Sequence, residues 1–81
     1  MEIMFYATPS GDDLEWGIYI KGSDALWHKR VTCPSSGMSG LIQMIVYALE
    51  YLKDARYLLG GLWYNHEQLT EKLYRLLDNN L

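Results

Sequence analysis

The chain has 81 residues, a net charge of −3 and a single cysteine. That length supports one domain, which buries about 60% of its unfolded surface. One thiol, Cys33, excludes an intrachain disulfide and a four-cysteine zinc site, and it suits a reducing, cytoplasmic setting.

Residues 2–8 set Ile3, Phe5 and Ala7 on one side and Met4, Tyr6 and Thr8 on the other, which predicts a first strand. Pro9 and the run Ser10, Gly11, Asp12, Asp13 end it as turn residues. A second strand is predicted over 15–21, with Trp16, Ile18 and Ile20 pointing one way and Glu15, Tyr19 and Lys21 the other. Gly22, Ser23 and Asp24 form a hairpin-length connection. Residues 25–32 give a third strand of less regular alternation, whose outer face is expected to be exposed. These three strands make an antiparallel meander. Residues 33–37 lead from it into a helix capped by Ser36 or Ser39.

From Ser39 to about Leu59 nearly every position is apolar. Leu41, Ile45, Ala48, Leu49, Leu52, Ala55 and Leu59 follow helical spacing, and Ile42, Met44 and Val46 widen the apolar face. Gln43, Glu50 and Asp54 fall on one narrow stripe. A helix apolar around most of its circumference is buried on several sides, so a long, buried central helix is expected. After Lys53 two readings stand. Either the helix runs to a glycine stop at Gly60 and Gly61, or residues 56–64, from Arg56 through Tyr57 to Tyr64, form a fourth strand kinked at that pair. Asn65 with Gln68 is a capping box for a C-terminal amphipathic helix. It should turn Leu69, Leu73, Leu76 and Leu77 inward and pair Glu71 with Arg75. The fold class is α+β, one compact domain over 1–81.

Three stretches resemble the ribonuclease H-like fold: residues 3–10 its first strand and turn, residues 44–52 its central helix, and residues 59–69 a fourth strand entering a helix. The resemblance implies that active members hold two metal ions on clustered acids. Here those places fall at Thr8, at Ser39, Gly40 and Leu41, and at Tyr64, Asn65 and His66, and none is a carboxylate. The chain also stops before that family's closing elements would end. What the resemblance implies is a shortened, non-catalytic relative.

Other constellations lead nowhere stronger. Asp12, Asp13 and Glu15 lack the alternating ligands and central glycine of a calcium loop. His28 and Cys33 alternate to opposite faces of a strand, and Cys33 with His66 lacks an orienting third group. No cofactor, metal or catalytic residue is expected. There is no basic-then-apolar leader and no uncharged span long enough for a membrane.

Three Trp and seven Tyr exceed what so small a core can hide, and such rings are enriched at protein interfaces. The sequence therefore reads as a non-catalytic protein-binding module, most simply a homodimer. Its interface is expected at Tyr47, Tyr51, Tyr57 and Trp63. One alternative is a small acidic inhibitor of nucleic-acid-binding host machinery, of the mobile-element or phage type. In it Asp12, Asp13, Glu15 and Asp24 imitate phosphates. Another is a single-stranded nucleic-acid binder using Tyr19, Lys21, Trp27, Lys29 and Arg30. Against it, five acids oppose three bases up to Gly37 and five oppose four beyond it.

Overall fold

A computed structural model describes residues 1–22, 29–34 and 38–79. The architecture is α+β: a five-stranded mixed sheet with two helices on one face. The strands are β1 (Glu2–Ser10), β2 (Asp13–Ile20), β3 (Lys29–Pro34), β4 (Arg56–Leu59) and β5 (Leu62–Tyr64), in the order β3-β2-β1-β4-β5. The helices are α1 (Ser39–Tyr51) and α2 (His66–Asn79). β1, β2 and β3 pair antiparallel as a meander, β4 lies parallel to β1, and β5 returns antiparallel along β4. No helix among the described residues is long and apolar enough to cross a membrane.

Pro9 does not end the first strand; β1 continues to Ser10 and pairs Pro9 with Leu14. β4 covers β1 only from Glu2 to Met4, so beyond there β1 has one open edge. In the two-residue hairpin that joins Ser10 to Asp13, alternate pairs exchange hydrogen bonds, which aims the Pro9 backbone at that open edge. A residue without an N–H costs nothing there.

α1 stops at Tyr51, so of the two readings after Lys53 the helix running on to Leu59 is not formed, and Arg56–Leu59 and Leu62–Tyr64 are extended. Leu52 bonds back to the Ala48 carbonyl at 2.9 Å, and Asp54 takes a left-handed φ of 57°, which turns the chain into β4. Asp tolerates that region better than most residues do. Gly60 and Gly61, with φ of 60° and 82°, form a two-residue hairpin of the kind that needs two positive φ angles. The kinked fourth strand is thus two strands. α1 begins after Met38 with no side-chain cap; Ser39 is the first helical residue, and Ser36 lies outside the described residues. The third strand expected at 25–32 is described from Lys29 and runs on to Pro34; residues 23–28 lie outside the described residues.

The core lies between the sheet and the helices. Ile3, Phe5, Ile18, Tyr57 and Leu59 of the sheet meet Leu41, Met44, Ile45, Ala48 and Leu52, with Leu69 and Leu76 from α2. Each fully buried aliphatic side chain there contributes about 1.5–3 kcal/mol. α1 is covered along one side and not all round, because Gln43, Val46, Glu50 and Tyr51 are exposed. Leu49 is half-buried, while Ile45 is fully enclosed. Gly40 sits where the first turn of α1 crosses the sheet. A Cβ there would lie 2.7 Å from Cys33 Sγ and nearer still to the Trp16 ring. α2 opens with the expected capping box, Gln68 N–H donating to Asn65 Oδ1 at 2.8 Å and Asn65 N–H to Gln68 Oε1 at 2.9 Å. Its Leu77, expected inward, is 40% exposed, while its neighbour Leu76 is buried, because Leu77 lies about 80° round the helix from Leu69.

Candidate protein-binding face

With both helices on one side, no described element covers the other face of the sheet, and the strand register fixes what it displays. Side chains alternate between faces along each strand. Ile3, Phe5, Trp16, Ile18, Tyr57 and Leu59 belong to the helix side, so their neighbours belong to the open side. Reading across the strands, four rows emerge.

The outermost row is ionic. Lys21 donates its backbone N–H to the Glu2 carbonyl, and Glu2 pairs in register with Arg56. The Glu2 carboxylate takes Lys21 Nζ at 3.1 Å and Arg56 Nη1 at 3.4 Å. Next comes an apolar row through four strands, Tyr19, Met4, Leu58 and Trp63. Arg56 reaches over the Trp63 ring at 4.5 Å, a cation–π contact. The third row is Arg30, Gly17 and Tyr6. Gly17 has no side chain, and Tyr6 stands directly opposite it, its ring meeting Tyr19 edge-on at 6.5 Å. The fourth row is Thr32, Glu15 and Thr8, with Arg30 and Glu15 3.6 Å apart.

Two large rings stand out of this face, Tyr6 at 44% exposure and Trp63 at 41%. Charge is balanced, since Lys21, Arg30 and Arg56 face Glu2, Glu15 and, at the hairpin end, Asp13. The surplus of acid lies elsewhere on the chain.

The sequence-predicted aromatic set is not brought together. Tyr57 is wholly buried, stacks on Phe5 at 6.3 Å and donates its hydroxyl to the Leu52 carbonyl at 2.6 Å. Burial first, and the Asp54 carboxylate second, hold its phenol above the ordinary value of 10.0. Tyr47 and Tyr51 touch at 4.9 Å on α1, and Lys29 Nζ lies 5.0 Å from the Tyr47 ring. Trp63 is on the opposite side of the sheet. Tyr57 faces inward because position 57 continues the core side of β4 in register with Ile3.

Of the proposed nucleic-acid contacts, Tyr19, Lys21 and Arg30 share the open face, Lys29 points to the helix side, and Trp27 lies outside the described residues. Of the acidic set, Asp12 caps the hairpin tip, Asp13 and Glu15 follow on the open face, and Asp24 lies outside the described residues. His28 does too. Cys33 is buried near Gly40, whereas His66 Nε2 donates to the Leu49 carbonyl at 3.3 Å. Gly40 and Leu49 are nine residues apart on one helix, about 13 Å at 1.5 Å per residue, so thiol and imidazole sit at opposite ends. Among the described residues no three His, Cys, Asp or Glu side chains are grouped to hold a metal. Met4, Tyr6, Arg56 and Leu58 were not expected at a site; the alternation of β1 placed Met4 and Tyr6 together without showing which side the helices would cover.

Set beside models of protein families, curated proteins and solved structures, the chain matches none.

Proposed function

We propose that the chain is a non-catalytic protein-binding module that associates with a second copy of itself, face to face, through the open side of the sheet. The observation carrying this is the apolar row Tyr19, Met4, Leu58 and Trp63 on the face that the helices do not cover, bordered by the ionic row on one side and by Arg30, Gly17 and Tyr6 on the other. A sheet with one wet face is ordinarily polar on that face; this one is aromatic at its centre. With about 4.8 Å between strands and about 7 Å between same-face residues, the four rows span on the order of 500 Å² in projection. Rough side chains raise the accessible area towards the roughly 800 Å² per partner of a standard interface. Even charge lets two such faces meet without repulsion. Two sheets packed this way form a sandwich about 10 Å thick.

Sedimentation equilibrium at tens of micromolar tests the reading. Wild type should be dimeric, and Tyr19→Ser with Trp63→Ser should weaken association by about 30-fold or more, as for central aromatic anchors, with circular dichroism unchanged. A strictly monomeric wild type, or an equally tight double variant, refutes it.

Single-stranded nucleic acid is the second reading, favoured by Tyr6, Tyr19 and Trp63 standing beside Lys21, Arg30 and Arg56 on one surface. The interleaved carboxylates count against it. Fluorescence anisotropy with a labelled oligonucleotide decides: binding should appear at low salt and fall steeply with added salt. Glu2→Gln with Glu15→Gln should strengthen it. The acidic-inhibitor reading has less support, since Glu15 is neutralised by Arg30. As a proposal, the ribonuclease H-like kinship rests on the order of three strands, helix and strand; the stretch 59–69 that carries it divides between the end of β4, β5 and the start of α2.

A further inference from the structure

A different feature, independent of the open face, lies at the β5 edge of the sheet. The Leu59–Leu62 pair closes a two-residue hairpin and exchanges hydrogen bonds, as does Tyr57 with Tyr64. Trp63, between them, therefore aims its backbone N–H and C=O sideways, away from β4, and among the described residues no further strand meets them. Beside this edge runs an open groove of about 350 Å³, lined by all three residues of β5 and by Gln68, Glu71, Lys72 and Arg75 of α2. Its charge is lopsided. Arg75 is held by Glu71 at 2.7 Å, which leaves the half-buried Lys72 without a carboxylate partner among the described residues.

We infer that this edge and groove receive an extended segment of a partner protein that carries an acidic side chain. The segment adds as a sixth strand, accepting from Trp63 N–H and donating to Trp63 C=O. One side chain lies on Leu62 and Tyr64, and a carboxylate reaches Lys72. Strand addition gives affinity through the main chain and selectivity through alternate side chains, and an uncovered edge is the surface such segments use.

The probe is a capped octapeptide of alternating valine and threonine with one central glutamate, titrated into the ¹⁵N-labelled full chain. Saturable shifts should centre on the amides of Trp63 and Lys72. The glutamine version of the peptide should bind about threefold more weakly, as expected for a solvent-accessible ion pair. A peptide N-methylated at the residue facing Trp63 should lose at least tenfold, with the protein itself unaltered. Lys72→Glu, a change on the α2 side of the groove, should reverse the preference between glutamate and lysine peptides. Three results overturn the inference: no shift at Trp63 up to about 2 mM peptide, equal binding of the N-methylated and unmodified peptides, or shifts confined to Tyr6 and Tyr19.

Discussion

Gly40→Ala is the substitution on which the packing account can be held to a number. In a solvent-facing helix position the change would stabilise by about 0.8–1 kcal/mol through helix propensity. Here the new methyl would stand 2.7 Å from Cys33 Sγ and closer to the Trp16 ring, distances that force the helix or both side chains to move. Overpacking of that kind costs about 1–3 kcal/mol. Two separate overlaps put the cost in the upper part of that range, so the net loss should be about 1–2 kcal/mol. For a domain of this size each kcal/mol moves Tm by about 4–8 °C, so melting should fall by about 4–16 °C, read by circular dichroism. Cys33→Ala should be coupled to it, since it removes one of the two obstructing atoms, and a double-mutant cycle should return part of the loss. A variant that melts higher than wild type, or a cycle that is strictly additive, would show that α1 does not cross the sheet as closely as described.

Tyr57→Phe removes the hydroxyl that donates to Leu52 and leaves a buried carbonyl unpaired, at about 1–2 kcal/mol in urea unfolding. Because the folded phenol titrates above 10.0, the unfolded chain ionises first as pH rises. This group's stabilising effect is complete below pH 10.0 and is lost as pH climbs through the higher folded value; the Phe variant should lack that alkaline loss. Asn65→Ala breaks the capping box of α2 and should cost about 1 kcal/mol by the same assay. Asp54→Gly should leave stability within about 0.5 kcal/mol, while Asp54→Val should lose about 1–2 kcal/mol, because a branched residue cannot rest at φ 57°.

Much of the fold was legible where one local rule acted alone. The alternation of β2, the Asn65 and Gln68 cap, and the Glu71–Arg75 pair all followed from spacing, and the last closes at 2.7 Å. The end of α1 did not follow, because Leu52, Ala55 and Leu59 keep helical spacing while the chain has already turned at Asp54. Gly60 and Gly61 fit a helix stop, a kink or a hairpin equally well; pairing with β4 chose the hairpin. The site was harder still. Both sides of β1 are apolar, so nothing local tells the covered side from the open one, and Tyr57 and Trp63 were grouped although the sheet lies between them. Helix placement, a long-range property, decides which aromatics remain outside.

The most direct test is an isotope-filtered nuclear Overhauser experiment on an equal mixture of labelled and unlabelled chains. Contacts between copies should run from the Trp63 indole and Tyr19 ring to the Met4 methyl and Leu58 of the other copy. A mixed sample that shows no such contacts at a concentration where the protein is dimeric, or shows them from Tyr51 and Val46 on α1, would contradict the face-to-face account.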